Sequence, residues 1–407
     1  MPDNSEIYAS EFWDLYNPPI SDVTKSLWLD SADNSYAFYR AFVPLYYRIL
    51  ADSSDQNLKN LRELAIHKGW IIGDPHPANF GAVLINSSPL NRSVIYTVND
   101  PDDGFGDSPL YLDFLRFLTG VCIIGNDCNP VNKIQKAYLR GLNGEGLGKE
   151  PREVRKCLRR LWKREKCFKK RDYKKLYEGK KRRLNYPIAE LSSRQLTILK
   201  AVLKSVWKDL DLRVDQGFEY IRKKGGSGGL ARKVLLLKFS KRKQPVRISK
   251  SKWLVVELKG MRQPSIQYLS NLSAEQVKEA EKQTMRRQCR NKLSILYGIV
   301  KDRESTCSNG DSSIRDQDGQ YWSVRPRWVE NPVVDPNDVE NKKQRKKIYL
   351  YQANILGDLH RANAINASAY YDEVKRFKAK EWKKAAEYMA NKLKNQWLNK
   401  EKISIRS

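Results

Sequence analysis

Ile71-Ile72-Gly73-Asp74-Pro75-His76-Pro77-Ala78-Asn79-Phe80-Gly81-Ala82-Val83-Leu84, followed by Val98-Asn99-Asp100-Pro101-Asp102-Asp103-Gly104-Phe105-Gly106-Asp107, is the stretch on which the reading of this chain turns. Between the two segments lie two strand-like runs, Gly81 to Ile85 and Val94 to Val98, joined by a turn-rich Asn-Ser-Ser-Pro-Leu-Asn-Arg-Ser, and they read as a hairpin. Asp74 and Asn79 stand on the loop before the hairpin, and Asp100 closes its second, apolar strand. Asp102, Asp103, Gly104, Gly106 and Asp107 then give an acidic stretch that reads as a flexible loop. Asp113 opens an apolar helix, Asp113 to Ile124, from which it is placed to hold the preceding loop by hydrogen bonds.

Outward from this centre the pattern is mixed. Ser35 to Leu50 carries aromatic and aliphatic residues at three- and four-residue spacing, as a buried helix does. Residues 151–183 hold 17 Lys or Arg against four acids, with Val154, Leu158, Leu161, Trp162 and Phe168 on a helical period, so they read as a basic amphipathic helix or helix pair. A further helix is expected from Ser192 to Lys224, and a glycine-rich break at Gly225 to Gly229 follows it. The β-branched and aliphatic runs Val234 to Phe239 and Trp253 to Leu258 then suggest an antiparallel pair. Ser273 to Val300 reads as a helix opened by the capping box Ser-Ala-Glu-Gln, residues 309–341 as loop, and residues 347–400 as helix again. The class expected is α+β.

The 407 residues are 40% hydrophobic and 30% charged, which excludes a wholly disordered chain. No apolar run is long enough to span a bilayer, and Met-Pro-Asp-Asn-Ser-Glu lacks the basic and apolar regions of a secretory signal, so a cytoplasmic protein is expected. Six cysteines form no CxxC pair and only three histidines are present, so reduced thiols are expected rather than a zinc site. A formal charge of +29 attracts polyanions without choosing among nucleic acid, anionic surfaces and nucleotides.

Phosphoryl transfer from ATP requires a carboxylate near the acceptor hydroxyl, an Asn and an Asp for magnesium, and a lysine on the phosphates. Asp74 and Asn79 are separated by the interval found between Asp and Asn in the kinase catalytic-loop signature. Asp100 lies where a second metal ligand belongs. Lys259 sits in an apolar strand, where an unpaired ammonium is costly, so a phosphate or carboxylate partner is expected; Glu281 on the following helix is the first choice and Glu279 the second. Gly226, Ser227 and Gly229, within the glycine cluster, would let backbone N–H groups approach phosphate oxygens.

The stretch from Tyr36 through Leu118 resembles the bacterial family called domain of unknown function 2252, which is in turn similar to aminoglycoside phosphotransferases and other kinase-like enzymes. Residues 224–232 (KGGSGGLAR) resemble that family's Gly-Ser-Gly loop, and residues 254–265 (LVVELKGMRQPS) its strand with a central lysine. The resemblance implies Asp74 as catalytic base, Asn79 and Asp100 as magnesium ligands, His76 and Asp113 as supports, and ATP with magnesium as cofactors. It also implies a bilobal, protein-kinase-like fold in circularly permuted order. The catalytic lobe would begin in residues 1–140, with a basic helical insertion at 141–190, a nucleotide-gripping lobe at 191–330 and C-terminal helices at 331–407. Gly260 departs from the family, where an acidic residue usually follows the lysine.

The leading expectation is thus an ATP phosphotransferase acting on a small-molecule or protein hydroxyl. Transfer of AMP on the same scaffold is the near alternative, and binding of nucleic acid or an anionic surface through 151–183, with its interleaved Trp162, Phe168, Tyr173 and Tyr177, is the distant one. Gly357-Asp358-Leu359-His360-Arg361-Ala362-Asn363 repeats the spacing of the first loop inside a helical run, and packing against the catalytic lobe is the role expected for it.

Overall fold

The computed structural model describes residues 32–86, 92–99, 103–163, 173–178, 188–206, 212–221, 231–239, 253–260, 312–315, 321–326 and 333–400, with residues 25–26, 29–30, 265 and 269. Gly225 to Gly229, the segment Ser273 to Val300, Asp100, Asp102 and Phe168 lie outside the described residues.

The elements are, in order, α1 (Ser35–Ala41), α2 (Val43–Asp52), α3 (Gln56–Leu61), β1 (Lys68–Ile71), β2 (Phe80–Asn86), β3 (Arg92–Val98) and β4 (Phe105–Pro109). Then come α4 (Tyr111–Gly125), α5 (Val131–Leu142), α6 (Arg152–Lys163), a short helix at 173–178, β5 (Ala189–Glu190), α7 (Ser193–Val206), β6 (Leu212–Ile221), β7 (Ala231–Phe239) and β8 (Trp253–Gly260). The chain continues through β9 (Ser312–Arg315), β10 (Tyr321–Pro326), α8 (Lys342–Asn363), α9 (Ala367–Arg376) and α10 (Ala379–Leu398). The class is mixed α+β.

The single helix expected over Ser35 to Leu50 is two. Asn34 caps the first by accepting from the Ala37 amide at 2.8 Å, and Phe42 with Pro44 behind it interrupts the run, because proline fits only the first turn of a new helix. The hairpin β2–β3 pairs Phe80 with Val98 through Asn86 with Arg92. The acidic stretch read as a flexible loop contains β4, antiparallel to β1. The helix at Asp113 to Ile124 forms within α4, with Asn126 left-handed (φ 52°) at its end. Cys122 and Cys128, expected as free thiols, are joined as a disulfide across the turn from α4 to α5, which doubles the chain back until their Cα atoms are 4.7 Å apart.

Further corrections fall on the central region. The helix expected from Ser192 to Lys224 stops at Val206, and β6 replaces its second half; Val214, Phe218 and Tyr220 are buried there, with the first separated from the others by a register shift. Part of the loop expected over 309–341 forms the hairpin β9–β10. The expected pair β7–β8 is the centre of a six-stranded antiparallel sheet ordered β5-β6-β7-β8-β10-β9.

Two of the apolar clusters that hold these layers lie among the described residues. The larger joins α1, α2, β1–β4, α4–α6 and α8–α10, with Trp382, Tyr39, Phe38 and Phe114 fully buried. The smaller lies on one face of the six-stranded sheet, where Tyr173 from the basic segment packs with Phe218, Val234, Leu236 and Val255. Tyr177 also meets Phe218, ring centres 5.3 Å apart. Two of the four aromatics interleaved with the basic run are therefore occupied by packing against the protein's own sheet.

Candidate active site

The turn at Gly73 to Asn79 is fixed by its own sequence and by side chains from four helices. Gly73 has φ +79°, and a Cβ there would stand 2.2 Å from the Asp103 carbonyl oxygen, so only glycine fits. The Asn79 amide donates to the His76 carbonyl at 2.7 Å and the Asn79 side chain donates to the Asp74 carbonyl at 2.8 Å, folding the loop back on itself.

From α4, Asp113 accepts from the amides of Ile72 (2.6 Å) and Gly73 (2.9 Å). From α2, the Tyr47 hydroxyl donates to the Gly73 carbonyl at 2.6 Å, and from α1 the Tyr36 hydroxyl accepts from the Ala78 amide at 3.1 Å. From α8, Gln352 donates to the Pro77 carbonyl at 2.8 Å and to the Tyr96 hydroxyl at 2.9 Å. Asp113 is itself braced by His360 Nε2 at 3.1 Å, and His360 Nδ1 meets the Tyr138 hydroxyl, which contacts Tyr370. A polar loop pinned at this many points is rigid before any ligand arrives.

Asp74 is oriented by a residue the sequence reading missed. Arg116, wholly buried on α4, donates from Nε at 2.8 Å and from Nη2 at 2.7 Å to the same oxygen, Oδ1. Its guanidinium lies over both the Tyr39 ring (4.4 Å) and the Tyr46 ring (4.6 Å), which stand edge to face with one another. The other oxygen, Oδ2, faces His76 Nε2 at 3.7 Å, and the Asp74 side chain keeps 13% of its surface open. Burial pushes the Asp74 carboxyl up to about 7; Arg116 opposes that rise and the neighbouring Asp103 carboxylate adds to it. Burial works most strongly against the charge on Arg116, but the Asp74 carboxylate together with Tyr39, Tyr47 and Tyr46 offsets it and holds the guanidinium pKa above its ordinary value. Arg116 follows Asp113 by three residues on an otherwise apolar helix; a lone arginine amid Leu, Phe and Thr was the signal available.

Asp103, the third carboxylate, accepts at Oδ1 from the Ser265 amide (3.1 Å) and hydroxyl (3.0 Å). Ser265 lies six residues beyond Lys259, so the segment after β8 returns to the carbonyl-lined turn at Gly73. The end of β3 arrives at the same place, since the Asn99 amide donates to the Asn79 carbonyl at 3.2 Å.

The structure thus gathers Asp74, His76, Asn79, Asp103 and Asp113 around one turn. Lys259 lies buried on β8, on the sheet face that carries Arg232, paired to it in register, and Glu257; Arg232 Nη1 meets Glu257 Oε1 at 2.8 Å. Asp100, Asp102, Gly226, Ser227, Gly229, Glu279 and Glu281 fall outside the described residues.

The donors around the turn are hard oxygens, the type magnesium takes. The Asp74 and Asp103 carboxylates repel each other at this turn, a repulsion of the kind a divalent cation relieves. Among the described residues no group of three His, Cys, Asp or Glu is assembled into a complete metal site, and no helix is long and apolar enough to cross a membrane.

Residues 30–142 match the family model of an uncharacterized protein conserved in bacteria (DUF2252). The DUF2252 match spans α1 to α5, and therefore contains the whole Gly73 to Asn79 turn together with Arg116, Asp113 and Asp103. No curated protein and no solved structure matches the chain.

Proposed function

We propose that the chain is a magnesium-dependent ATP phosphotransferase of kinase-like, circularly permuted architecture, acting on a hydroxyl acceptor. What carries the reading is Asp74. It is a carboxylate held through one oxygen only, in a turn whose peptide groups are fixed from four helices, with its pKa raised to about 7 by burial. A base poised near neutral pH takes a hydroxyl proton at the cost of the least unfavourable transfer, and such a residue contributes on the order of a hundred- to ten-thousand-fold in rate.

Arg116 anchors Oδ1, so Oδ2 receives the proton. Asn79 and Asp103, with Asp100 beyond them, would hold magnesium, which when bound supplies charge neutralisation to the phosphates. Lys259 would position the nucleotide from the sheet. Support for the two stretches meeting is the Ser265 to Asp103 pair of hydrogen bonds, made six residues past that lysine.

Melting temperature with ATP and magnesium tests the reading. The wild-type chain is expected to be stabilised only when both are present, by an amount that grows with ligand concentration, and Asp100→Ala and Lys259→Ala should each abolish the shift. No shift at millimolar ATP would overturn it. Mass spectrometry of the product decides the chemistry: an increment of about 80 Da marks phosphate and about 329 Da marks AMP.

A further inference from the structure

Two guanidinium groups oppose the rise that burial imposes on the Asp74 carboxyl, Arg116 first and Arg40 more weakly. Arg116 is wholly buried and spent on Oδ1. Arg40, on α1, is linked instead to the other oxygen. Oδ2 faces His76 at 3.7 Å, the His76 ring meets Tyr36 edge-on with ring centres 6.3 Å apart, and the Arg40 guanidinium lies over the Tyr36 ring, 5.6 Å from its centre.

Arg40 is both open and held. Its side chain keeps 36% of its surface exposed, where that of Arg116 keeps none. Nη1 donates to Asp335 Oδ2 at 3.2 Å, and among the described residues Nε and Nη2 make no hydrogen bond. Asp335 is itself fixed: its Oδ1 accepts from the Asn337 amide at 2.9 Å, and the preceding Val334 amide donates to the Phe80 carbonyl at 3.3 Å. Tyr36, the other support, accepts from the Ala78 amide. Both supports of Arg40 thus rest on the turn, at the residues on either side of Asn79.

A planar fork with two donors free suits a carboxylate or a phosphate, and a fork already immobilised loses little freedom on binding one. Asp335, the carboxylate beside it, is taken up by Arg40 and the Asn337 amide, so it offers a cationic acceptor little. The formal charge of +29 draws anions toward the chain and repels polycations. Nucleotide belongs to the other end of the turn, where Asp103 meets Ser265, six residues past Lys259.

Resting on the phosphotransferase reading of Asp74, we infer that the acceptor is a small organic acid: its hydroxyl lies at Asp74 Oδ2, and its carboxylate or phosphate lies at Nε and Nη2 of Arg40. In the transfer, the acceptor oxygen bonds to the γ-phosphorus as the bond to ADP breaks, and the hydroxyl proton passes to Oδ2. Arg40 forms and breaks no covalent bond; it selects and places the acceptor.

A small-molecule extract of bacterial cells, cleared of nucleotides on charcoal and divided by ion exchange into anionic, neutral and cationic pools, tests this. Each pool is incubated with the full chain, magnesium and ATP labelled at the γ-phosphate. Label should enter products of the anionic pool at least about tenfold above the other two, and Arg40→Gln should raise the amount of that pool needed for half-saturation by about tenfold, with the maximal rate within about threefold of wild type. Arg40→Lys, which keeps the charge without the fork, should fall between, and it decides the matter if melting shows Arg40→Gln to be unfolded. Acceptors found in the neutral or cationic pool, or in none, would overturn the inference. So would a fall in maximal rate at unchanged half-saturation, which would put Arg40 on the transferring phosphate. The wild-type melting shift with ATP and magnesium keeps the two ideas apart: without it both fall, and with it but no anionic acceptor only this inference falls.

Discussion

Two segments of this chain carry the same spacing of Gly, Asp, His and Asn, and they fold in opposite ways. Gly73 to Asn79 is a pinned turn, with its Asp and Asn joined by a 2.8 Å hydrogen bond. Gly357 to Asn363 is the last part of α8, where Asp358 turns outward, 46% exposed and paired with Arg361, while His360 turns inward and is wholly buried. Pro75 and Pro77 make the difference. Proline lacks the amide a helix needs and restrains the residue before it, so the first segment cannot be helical; the second contains no proline and follows the helix that leads into it. Spacing by itself assembles nothing. In the turn it folds Asn79 back onto Asp74, and in the helix it divides Asp358 from His360 by the 3.6-residue period. Yet the two segments are joined in one network, because His360 braces Asp113, and Asp113 holds Gly73.

That contrast breaks most visibly in catalysis. Asp74→Asn is expected to lower phosphoryl transfer by at least a thousandfold, whereas Asp358→Asn, which removes only an exposed ion pair, should stay within about twofold of wild type. Steady-state rates of ATP-dependent product formation measure both; equal effects at the two positions would dissolve the distinction.

His360→Gln sharpens the comparison from the helical side. The substitution removes one of three hydrogen-bond partners of the fully buried Asp113 carboxylate, the amides of Ile72 and Gly73 remaining, so denaturant unfolding should show a loss of about 1–3 kcal/mol, the worth of a hydrogen bond to a buried charged group. Its effect on rate, acting only through the loop's position, should be smaller than that of Asp74→Asn. A variant of unchanged stability would mean that Tyr138 and water replace the lost bond.

How far the sequence foretold this arrangement depends on the distance over which each contact reaches. The turn, the β2–β3 hairpin, α4 and the β7–β8 pair were readable because each is specified by neighbours: an apolar run, a turn-rich break, an Asp at a helix start. The strands β4, β6, β9 and β10 were not, since β4 is short and glycine-bearing, β6 alternates imperfectly across a register shift, and the last two lie in polar sequence. Among site residues, Asp74 and Asn79 stood out by spacing. Arg116 did not, although it makes the shortest ion pair to Asp74, because its partner is 42 residues away and no local rule links them. Gln352 and His360 act across 275 and 247 residues, and the disulfide joins cysteines whose spacing matches no metal or redox pattern. The basic segment was legible as an amphipathic helix, but only the sheet reveals what its tyrosines face.

The smallest of the expected effects is also the one most specific to the turn. Burial raises the Asp74 carboxyl to about 7, against the ordinary value of 3.8, and a base must be unprotonated to act. The rate should therefore be full above the raised pKa and decline as the pH falls through about 7, approaching a tenfold loss per unit on the acid side. The direction for stability is the reverse. A carboxyl that binds its proton more tightly when folded than unfolded makes folding less favourable as pH rises from about 4 to 7, so this one group strengthens the fold at acid pH. Asp74→Asn removes the titrating proton while keeping the shape, and it should flatten the stability profile across that window even where it abolishes activity. Asp358 on the exposed helical repeat pairs with Arg361, not with any residue of the turn, so Asp358→Asn should leave both limbs in place. An activity limb near pH 4 instead of 7 would show that Asp74 ionises as an ordinary carboxylate, and that burial does not tune the turn for proton transfer.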